Sequence, residues 1–432
     1  MRQNPAVPVP IPCRCCWQQF PCVSLDSPAH GIPDFEFRPF GVPWKLLQMS
    51  VWPRAVYVHV PFCLHHCGYC DFTVVASRDH LIPAYLECLR REIQAQMQGL
   101  PQPWPVDTIF VGGGTPTHLN PEQLQELLST IGSAFALSAT GEYSVEANPE
   151  GLDESRLEVL QRFGVNRLSL GVQSFNAQQL LTLERTHKPS DAVDVIHRAQ
   201  PYIPNLSVDL IFGVPGQSEV DWEQSLQTAT ELPLQHISTY GLTYEQGTPF
   251  FRRETTGQLR RIPDEVERQM YLTAIRRLQA DGLHHYEVSN FARPGFECRH
   301  NMVYWNADEY FAFGPGAARY LHGVRSTNAR SVVRWLRAWK DGVPCLEESE
   351  ENSPQDKARE AIMLGLRLRS GFQIAAFETR FQVSLRDLAG PALDRSLRGG
   401  LVEDVQGTLR LTEEGLLLAD TVVSDFLVGD DD

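Results

Sequence analysis

Between residues 54 and 290, short β-branched and aromatic runs alternate with longer amphipathic stretches, and this order restricts the fold more than any other feature. Six runs are predicted to be strands, at 55–60, 108–111, 143–146, 167–172, 206–211 and 235–242. The stretches predicted to be helices are 82–97, 121–131, 153–163, 189–199, 218–230 and 263–281. Strands that alternate with helices form parallel sheets with right-handed crossovers. The sequence therefore predicts an α/β fold, an incomplete TIM-type (β/α)6 barrel.

The first 50 residues differ in composition from the rest of the chain. Nine of the 30 prolines and four of the ten cysteines lie in residues 1–48. Proline at this density removes hydrogen-bond donors and blocks helices and central strands. We therefore expect residues 1–50 to be a disordered extension, with Met49 as the true start of translation. The alternative is a metal site built from the cysteines of this extension, Cys13, Cys15, Cys16 and Cys22.

Three segments follow the extension. Residues 51–290 hold the barrel, residues 291–350 are rich in aromatic side chains, and residues 351–432 form a small helical, winged-helix-like C-terminal domain with an acidic tail. In that domain we expect helices at 358–368 and from 374 onward, a hairpin wing at 401–402 and 409–412, and a closing helix at 413–426. Because the domain is not basic, we expect it to contact a partner or the barrel rather than DNA.

Charge and hydropathy argue against two classes of partner. The chain has 38 basic and 53 acidic residues, a net charge of −15, whereas a nucleic-acid-binding protein needs a basic face. No run of 18 apolar residues occurs, so no membrane span is predicted. Residues 1–48 also lack the basic start and continuous apolar stretch of a secretory signal. We therefore expect a cytoplasmic protein.

Three cysteines directly follow the first predicted strand. Cys63, Cys67 and Cys70 have the spacing C-x-x-x-C-x-x-C, and soft thiolates select iron–sulfur clusters or zinc. A structural zinc ion normally has four protein ligands, but Phe72 stands where a further cysteine would complete the set. Three ligands on a four-iron cluster would leave one iron open to a substrate or cofactor. The alternatives are three buried cysteines without a metal, or zinc with a fourth ligand from His59, His65 or His66.

The cysteine segment resembles that of the radical S-adenosylmethionine superfamily. The resemblance implies a 4Fe-4S cluster on the three cysteines, whose open iron chelates the amino and carboxylate groups of S-adenosylmethionine. Reductive cleavage would then give methionine and a 5′-deoxyadenosyl radical, which requires an electron donor. In the superfamily the aromatic residue before the last cysteine, here Tyr69, contacts the adenine.

Polar and glycine residues at the ends of other predicted strands agree with this resemblance. The chemistry of TIM-type barrels lies at the C-terminal ends of strands, and the segment Gly112-Gly113-Gly114-Thr115-Pro116 follows the second strand. Its glycines let a ligand approach the backbone, and in the superfamily such a loop holds the methionine amino group. A polar ring suited to the nucleoside would come from Glu146, Gln173, Arg185 and Asp209. Each of these alone also fits a satisfied polar residue at a barrel rim.

Within the superfamily, the chain is similar to the branch that contains the anaerobic coproporphyrinogen III oxidases and the related heme chaperones. The resemblance covers most of residues 54–420, and it begins with Tyr57-Val58-His59-Val60-Pro61-Phe62-Cys63, in which Tyr57 is a candidate cofactor contact. It continues through residues 171–175 and 209–216. The oxidases usually carry another cysteine two residues after the triad. Phe72 stands there instead, as in the chaperones.

A second motif also favours the chaperones, which share the pattern H-N-x-x-Y-W. It occurs here as His300-Asn301-Met302-Val303-Tyr304-Trp305. Imidazole is a common ligand of heme iron, and Tyr304 and Trp305 offer flat apolar surfaces suited to a porphyrin face. Cys298 is a further candidate heme ligand, and Arg299 a candidate partner of a propionate. The alternative is a satisfied core histidine among core aromatic residues.

The resemblance implies two functions, and whether the chain is an enzyme stays open. In the first, a chaperone carries the cluster and S-adenosylmethionine, binds heme through the residues of the second motif, and transfers it to an acceptor protein. In the second, an enzyme oxidises coproporphyrinogen III without oxygen, as the radical abstracts a propionate hydrogen before carbon dioxide is lost. The missing further cysteine and the second motif favour the first.

Overall fold

The computed structural model describes residues 53–427. The predictions for the N-terminal extension, which concern Met49, Cys13, Cys15, Cys16 and Cys22, lie outside these residues, and so does the acidic tail from 428 onward. No helix in the described range is both long and apolar enough to cross a membrane.

The strands of residues 53–427 include all six that the sequence predicts. They are β1 (Ala55–Val60), β2 (Phe62–Cys63), β3 (Val75–Ala76), β4 (Trp104–Gly113), β5 (Phe135–Ala147), β6 (Arg167–Gln173), β7 (Asn205–Phe212), β8 (His236–Gly241), β9 (His284–Glu287), β10 (Asn290–Ala292), β11 (Phe311–Phe313), β12 (Ala318–Leu321), β13 (Val324–Asn328), β14 (Leu346–Glu351), β15 (Phe372–Gln373), β16 (Val402–Val405) and β17 (Thr408–Leu411).

Several helices begin at side chains that cap the first turn. The Asn120 side chain accepts from the Gln123 backbone N–H at 2.9 Å, and the Ser218 hydroxyl accepts from the Asp221 N–H at 3.1 Å. The helices are α1 (Ile82–Gln96), α2 (Pro121–Ala134), α3 (Glu154–Arg162), α4 (Ala177–Thr182), α5 (Pro189–Ala199), α6 (Glu219–Glu231), α7 (Pro249–Thr255), α8 (Asp264–Ala280), α9 (Arg299–Trp305), α10 (Val332–Lys340), α11 (Pro354–Gly365), α12 (Ile374–Phe381), α13 (Leu385–Arg398), α14 (Glu413–Leu417) and α15 (Ala419–Asp425).

Nine of the strands form one sheet in the order β11-β1-β4-β5-β6-β7-β8-β10-β9. Neighbours from β11 to β8 are parallel, whereas β10 is antiparallel to both β8 and β9. The six predicted strands are therefore adjacent and in chain order. Because β11 and β9 are the edges of this sheet, the barrel is open, in agreement with the predicted incomplete (β/α)6 barrel.

The inner face of the barrel carries small and polar side chains. Along β6, Leu168 and Leu170 lie in the hydrophobic core, whereas Ser169 and Gly171 alternate with them and face the barrel interior. TIM barrels usually fill this interior with layers of bulky branched side chains. Small inward side chains instead leave a cavity, which contains the candidate site.

The segment after the barrel strands returns to the barrel. β10 and β11 extend opposite sides of the sheet. Helix α9 lies at the N-terminal end of the strands, where His300 Nδ1 is 2.9 Å from Thr108 Oγ1 and Thr108 pairs with Ala55, the first residue of β1. The candidate heme motif therefore approaches the barrel from the end opposite to the cysteines.

The C-terminal domain contains α11 to α15 and a small sheet in the order β15-β17-β16. The predicted hairpin wing corresponds to β16 and β17, which pair antiparallel. The prediction of one closing helix is wrong, because the backbone of Leu418 (φ −115°, ψ 21°) is not helical and divides this stretch into α14 and α15.

Trp222 connects α6 to the barrel core, and its removal should be costly. Its side chain is 1% exposed, its ring centroid lies 5.6 Å from that of Phe212, and its indole N–H donates to the Met270 carbonyl at 2.8 Å. We expect Trp222→Ala to lower the free energy of unfolding by about 3–5 kcal/mol, because a large cavity remains. Urea unfolding measures this loss, and a loss below about 1 kcal/mol would contradict this packing.

Candidate functional site

A cavity runs through the barrel from the cysteine loop to α9. It encloses about 1480 Å³ of space between atoms, its open mouth included. Arg299 and Trp305 do not line it, whereas the following predicted site residues do: Tyr57, Cys63, Cys67, Tyr69, Cys70, Gly113, Gly114, Thr115, Glu146, Gln173, Arg185, Asp209, His300 and Tyr304. The cysteine triad and most of the second motif therefore share one cavity.

The cysteine loop leaves the barrel at β2 and is supported by α7. The Cys70 N–H donates to the Cys67 carbonyl at 3.1 Å, which makes these two cysteines part of one turn. The Phe250 N–H donates to the Gly68 carbonyl at 2.9 Å. A Cβ atom at Gly68 would lie 2.8 Å from the Phe250 ring, so this close contact requires glycine.

The donor set fits a polynuclear cluster better than a single zinc ion. Each cysteine of a four-iron cluster binds a different iron, so the thiols must surround a volume rather than meet at one point. Within residues 53–427, no three His, Cys, Asp or Glu side chains are placed to hold one metal ion. Two of the candidate zinc ligands have other contacts: His65 lies 3.9 Å from Glu184, and His66 Nε2 donates to the Cys70 carbonyl at 3.0 Å.

His59, the third candidate zinc ligand, is held by two hydrogen bonds. Its Nε2 atom is 2.7 Å from the Thr73 carbonyl, which can only accept, so Nε2 carries the proton. Its Nδ1 atom therefore accepts from the Tyr57 hydroxyl at 3.0 Å. Burial lowers the pKa of His59 to about 4, so the ring is neutral. Its role in the site is to position Tyr57 in the cavity wall.

The glycine-rich segment lies against the cysteine loop at the end of β4. The Gly114 N–H donates to the Val60 carbonyl and the Thr115 N–H to the Phe62 carbonyl, both at 2.8 Å. A Cβ atom at Gly114 would lie 2.7 and 2.8 Å from these two carbonyl oxygens, so only glycine fits. The Thr115 hydroxyl is 3.5 Å from Cys63 Sγ. The two segments therefore form one rigid edge of the cavity.

Glu146 is fixed beside this edge. The Gly113 N–H donates to Glu146 Oε2 at 2.9 Å, and Gly113 has a φ of +103°, which glycine adopts without strain.

Burial raises the pKa of the Cys63 thiol to about 11, a shift that its hydrogen bond with Thr115 opposes. A metal that bound this sulfur would have to displace the proton.

Arg185 connects the cysteine loop to the ends of β5 and β6. Its Nη1 atom donates to Cys67 Sγ at 3.8 Å, and its Nη2 atom donates to Asn148 Oδ1 at 2.8 Å and to the Gly171 carbonyl at 2.9 Å. Asn148 in turn donates to the Thr115 hydroxyl at 2.8 Å. A buried positive charge next to thiolates stabilises an anionic cluster and orients its ligands.

Glu150 holds Arg185 from behind. Its carboxylate is 3.4 Å from Arg185 Nη2 and 3.1 Å from His187 Nδ1. Burial alone would raise the pKa of Glu150, but the hydrogen bond with His187 and the charge of Arg185 outweigh burial and hold this pKa well below its ordinary value of 4.5.

Replacing Glu150 with Gln should therefore destabilise the protein in a pH-dependent way. We expect the free energy of unfolding to fall by about 2 kcal/mol at neutral pH, because hydrogen bonds to a charged group are lost. Since the pKa is lower in the folded than in the unfolded state, the carboxylate's contribution is complete above pH 4.5 and declines as the pH falls below this value. Urea unfolding should show the gap between Glu150→Gln and the unmodified protein narrowing in acid. A constant gap would contradict this.

Gln173 and Asp209 face the cavity from β6 and β7. Gln173 ends β6 with a φ of +68°, and its buried Oε1 atom has no hydrogen-bond partner among residues 53–427. Ser169 donates to Asp209 Oδ1 at 3.4 Å. Tyr69 packs edge-on against Phe250, with ring centroids 6.0 Å apart. A buried acceptor without a protein partner marks a position where a ligand's donor would be stabilised.

His300 and Tyr304 lie on the cavity floor, which we define as Arg167, His236, Cys298, His300 and Tyr304. His300 Nδ1 is 2.9 Å from the Thr108 hydroxyl and Nε2 is 2.9 Å from the Tyr304 hydroxyl. The ring stacks on Phe110 with centroids 5.3 Å apart. Burial lowers the pKa of His300 to about 3, so the imidazole is neutral. It is a satisfied buried histidine, and it also faces the cavity.

Trp305 lies outside the cavity, which corrects its prediction as a porphyrin-facing residue. Residues 300 and 304 are four apart and share one face of α9, whereas residue 305 lies about 100° further around the helix. The Trp305 side chain is 3% exposed, and the Arg367 guanidinium lies 5.9 Å from the centroid of its ring. Trp305 therefore packs α9 against the C-terminal domain.

Several residues of the cavity wall were not predicted from the sequence. Asn148 links Arg185 to Thr115 as described, and four further residues line the wall: Phe110, Arg167, His236 and Ser238. Three of these four lie near the N-terminal ends of strands, where no chemistry was expected. The sequence did contain a signal for the residues on β6 and β8. Polar or small residues occupy every second position of these strands, which is typical of a strand with one face toward a polar cavity.

Comparison with known proteins identifies two families of domains in the chain. Residues 57–229 match the model of the radical SAM superfamily, and residues 352–418 match the HemN C-terminal domain. The fold is similar to that of coproporphyrinogen III oxidase HemN from Escherichia coli, a radical SAM enzyme, with a TM-score of 0.76, 22% identity, and coverage of 87% of this chain and 90% of that one.

The relatives found by sequence comparison identify the family within this superfamily. The heme chaperone HemW of Bacillus subtilis is 36% identical over 87% of this chain and 99% of its own length. HemW of Mycobacterium tuberculosis is also 36% identical, over 88% of this chain and 97% of its own. A zebrafish relative, radical S-adenosyl methionine domain-containing protein 1, mitochondrial, is 34% identical over 87% of both chains. With this identity over nearly the full length of its relatives, and with cysteine and glycine segments joined at one cavity, the chain belongs to the HemW heme-chaperone family of the radical SAM superfamily.

Proposed function

We propose that this chain is a heme chaperone that carries a 4Fe-4S cluster and S-adenosylmethionine, binds heme in the same cavity, and passes it to an acceptor protein. The observation that carries the proposal is that the three cysteines and the His300–Tyr304 pair line one cavity. The segments at 51–290, 291–350 and 351–432 would then form the barrel, the heme-binding segment and a domain for partner contact.

The cysteine end of the cavity supports the cluster and the nucleoside. Cys63, Cys67 and Cys70 would hold the cluster, which when bound would supply an electron for cleaving S-adenosylmethionine. The Gly113–Gly114 backbone allows close approach of the methionine end. Glu146, Gln173 and Asp209 offer oxygen acceptors for the nucleoside's donors. Tyr69 offers an aromatic face, and Arg185 a positive charge beside Cys67.

The floor of the cavity supports heme. A neutral imidazole is the form that binds iron, and His300 Nδ1–H can donate to the Thr108 hydroxyl while Nε2 faces Tyr304. Heme ligation would replace the hydrogen bond from the Tyr304 hydroxyl. Tyr57 and Phe110 flank the ring of His300, with centroids 6.5 and 5.3 Å from it, and provide apolar surface for a porphyrin.

Two observations favour a chaperone over a coproporphyrinogen oxidase. The chain has Phe72 where the oxidases usually carry a further cysteine, and relatives covered to 97–99% of their length are named heme chaperones. A cluster with an open iron is oxygen-sensitive and requires a reductant. We therefore also propose a reducing compartment, the cytoplasm, with an acceptor protein and an electron donor as partners.

One anaerobic sample tests this function. The protein is reconstituted with iron and sulfide, titrated with hemin, and then incubated with dithionite, S-adenosylmethionine and coproporphyrinogen III. We expect stoichiometric heme binding and no protoporphyrinogen, and a 5′-deoxyadenosine assay reports whether the nucleoside is cleaved. Absence of heme binding contradicts the chaperone, and formation of protoporphyrinogen would establish the oxidase instead.

A further inference from the structure

A buried arginine on the cavity floor has no role in the function proposed above. Arg167 is 2% exposed and begins β6, roughly 20 Å along the strand from Gln173 at about 3.3 Å per residue. Its Nη1 atom donates to the Phe296 carbonyl at 3.1 Å and to Asn205 Oδ1 at 3.4 Å. A guanidinium has five N–H donors, and both of these hydrogen bonds use Nη1. The side chain lines the cavity.

The neighbouring carboxylates of Glu142 and Asp209 have other hydrogen-bond partners. Glu142 accepts from the backbone N–H groups of Arg299 and His300, at 3.1 and 3.2 Å, so the first turn of α9 offsets its charge. Asp209 accepts from Ser169. Burial alone would lower the pKa of Arg167, but the nearby Cys298 and Glu142 outweigh burial and raise this pKa. The guanidinium is therefore charged, and it lines the cavity floor.

A second polar group lies beside the arginine. Ser144 pairs with Arg167 across β5 and β6 and is fully buried. Its hydroxyl has no hydrogen-bond partner among the described residues. Alternation along β5 places Ser144 on the same face as Glu146, which lines the cavity. A guanidinium with a neighbouring hydroxyl matches the geometry of a carboxylate, which accepts two parallel N–H bonds.

We propose that Arg167, assisted by Ser144, binds a carboxylate at the cavity floor, and that this carboxylate is a propionate of the tetrapyrrole. The proposal rests on the proposed heme function. Glu142 lies between Arg167 and the second motif. Its carboxylate accepts from the His300 N–H, and its negative charge raises the pKa of Arg167. The arginine that the sequence indicated, Arg299, donates to the Thr140 carbonyl and lines a separate outer hollow. Arg167 therefore takes the role predicted for Arg299.

S-adenosylmethionine also carries a carboxylate, but we expect it to bind at the other end of the cavity from Arg167. Its methionine end is expected at Gly113 and Gly114, near the cysteine end of the barrel. Arg167 lies at the opposite end of β6. Loss of Arg167 should therefore weaken heme binding and leave S-adenosylmethionine binding unchanged.

The test compares hemin with its dimethyl ester, in which both propionates are uncharged. We expect the unmodified, reconstituted protein to bind the ester about 10–100-fold more weakly than hemin, because a charge-assisted hydrogen-bond pair is lost. Arg167→Gln should bind hemin about 10–100-fold more weakly and should bind the two ligands equally. Ser144→Ala should show a smaller loss in the same direction. Circular dichroism and thermal melting establish that each variant is folded.

The competing outcomes are distinct. Equal binding of hemin and ester by the unmodified protein overturns the inference and leaves the heme function intact, and this arm needs no variant. The inference is also overturned if Arg167→Gln still binds hemin more tightly than the ester, or if Arg299→Gln is the variant that binds the two ligands equally. Weaker S-adenosylmethionine binding with unchanged hemin binding in Arg167→Gln would assign the carboxylate to the nucleoside. If neither hemin nor ester binds, the proposed function fails, and this inference fails with it.

Discussion

Replacing Cys67 with Ser should leave the anaerobically reconstituted protein with almost no iron or acid-labile sulfide. Cys67 is 8% exposed, shares a turn with Cys70, and accepts a hydrogen bond from Arg185. Its loss removes one of three thiolates, and a hydroxyl is a harder and weaker ligand for iron. S-adenosylmethionine binding should fall with the cluster, because no open iron remains to chelate it. Iron and sulfide content, visible absorbance and nucleoside titration measure these losses.

Two matched controls separate a site effect from a general effect of cysteine loss. Cys345→Ser changes a half-buried cysteine outside the residues that line the cavity, and it should retain the full iron content. A variant in which Cys13, Cys15, Cys16 and Cys22 are all serine should retain it as well. If the fourfold variant loses the cluster, or Cys67→Ser keeps it, the assignment of the cluster to the barrel loop is wrong.

His300→Ala should weaken heme binding by more than about 100-fold. Removing a hydrogen-bond partner of a metal ligand typically costs 10–100-fold in affinity, and here the ligand itself is lost. His300 is 1% exposed and neutral, and its Nδ1 is fixed by Thr108, so Nε2 is the atom that would bind iron in the proposed complex. Hemin titration followed by the Soret band measures the change, and added imidazole should partly restore the spectrum.

We expect opposite effects on heme binding when the two hydrogen-bond partners of His300 are replaced. Thr108→Val removes the hydroxyl that orients the ring and should weaken heme binding about 10-fold. Tyr304→Phe removes the hydroxyl that occupies Nε2 and should strengthen binding by about 2–10-fold, the value of one hydrogen bond. Weaker binding in Tyr304→Phe would indicate that the phenol, not the imidazole, contacts the heme. Unchanged binding in His300→Ala would place the heme elsewhere.

The barrel could be predicted from the sequence because its elements are long and strongly patterned. The run Ala55–Val60 forms β1 with the predicted bounds, and Pro189, with its fixed φ, begins α5 where expected. The strands β10 and β11, which flank the six predicted strands, were missed because three-residue strands carry little pattern of their own. They exist because β8 and β1 offer unpaired edges for them.

At the cysteine end the candidate site was largely predicted from the sequence, whereas on the cavity floor only Cys298, His300 and Tyr304 were predicted. Gly114 and Glu146 lie at or just after the C-terminal ends of predicted strands, where barrel chemistry is normally found. Arg167 and His236 begin their strands, and a polar residue at that end usually serves stability. Their alternation with Leu168 and Ile237 was visible in the sequence. It indicates a hollow, polar barrel, but only the three-dimensional sheet shows that α9 reaches its floor.

The placement of Trp305 could have been derived without a structure. Its neighbours His300 and Tyr304 are separated by four residues, which in a helix puts them on one face. A residue one position further points elsewhere. The prediction that Tyr304 and Trp305 both face a porphyrin did not take the helix into account, because a seven-residue helix has few distinguishing signals in the sequence. The same reasoning explains why Arg299 faces outward.

The central claim is that the cluster and the heme lie at two ends of one cavity. The most direct test is the distance between the two metal centres, measured by pulsed electron paramagnetic resonance on protein that carries a reduced cluster and Mn(II) protoporphyrin in place of heme, because the reductant that makes the cluster paramagnetic would also reduce ferric heme. The length of β6 between its two ends predicts a separation of roughly 20 Å or less, with a strong dipolar interaction that disappears in His300→Ala. A separation of more than about 40 Å, twice the length of that strand, would place the heme outside the barrel and contradict the claim.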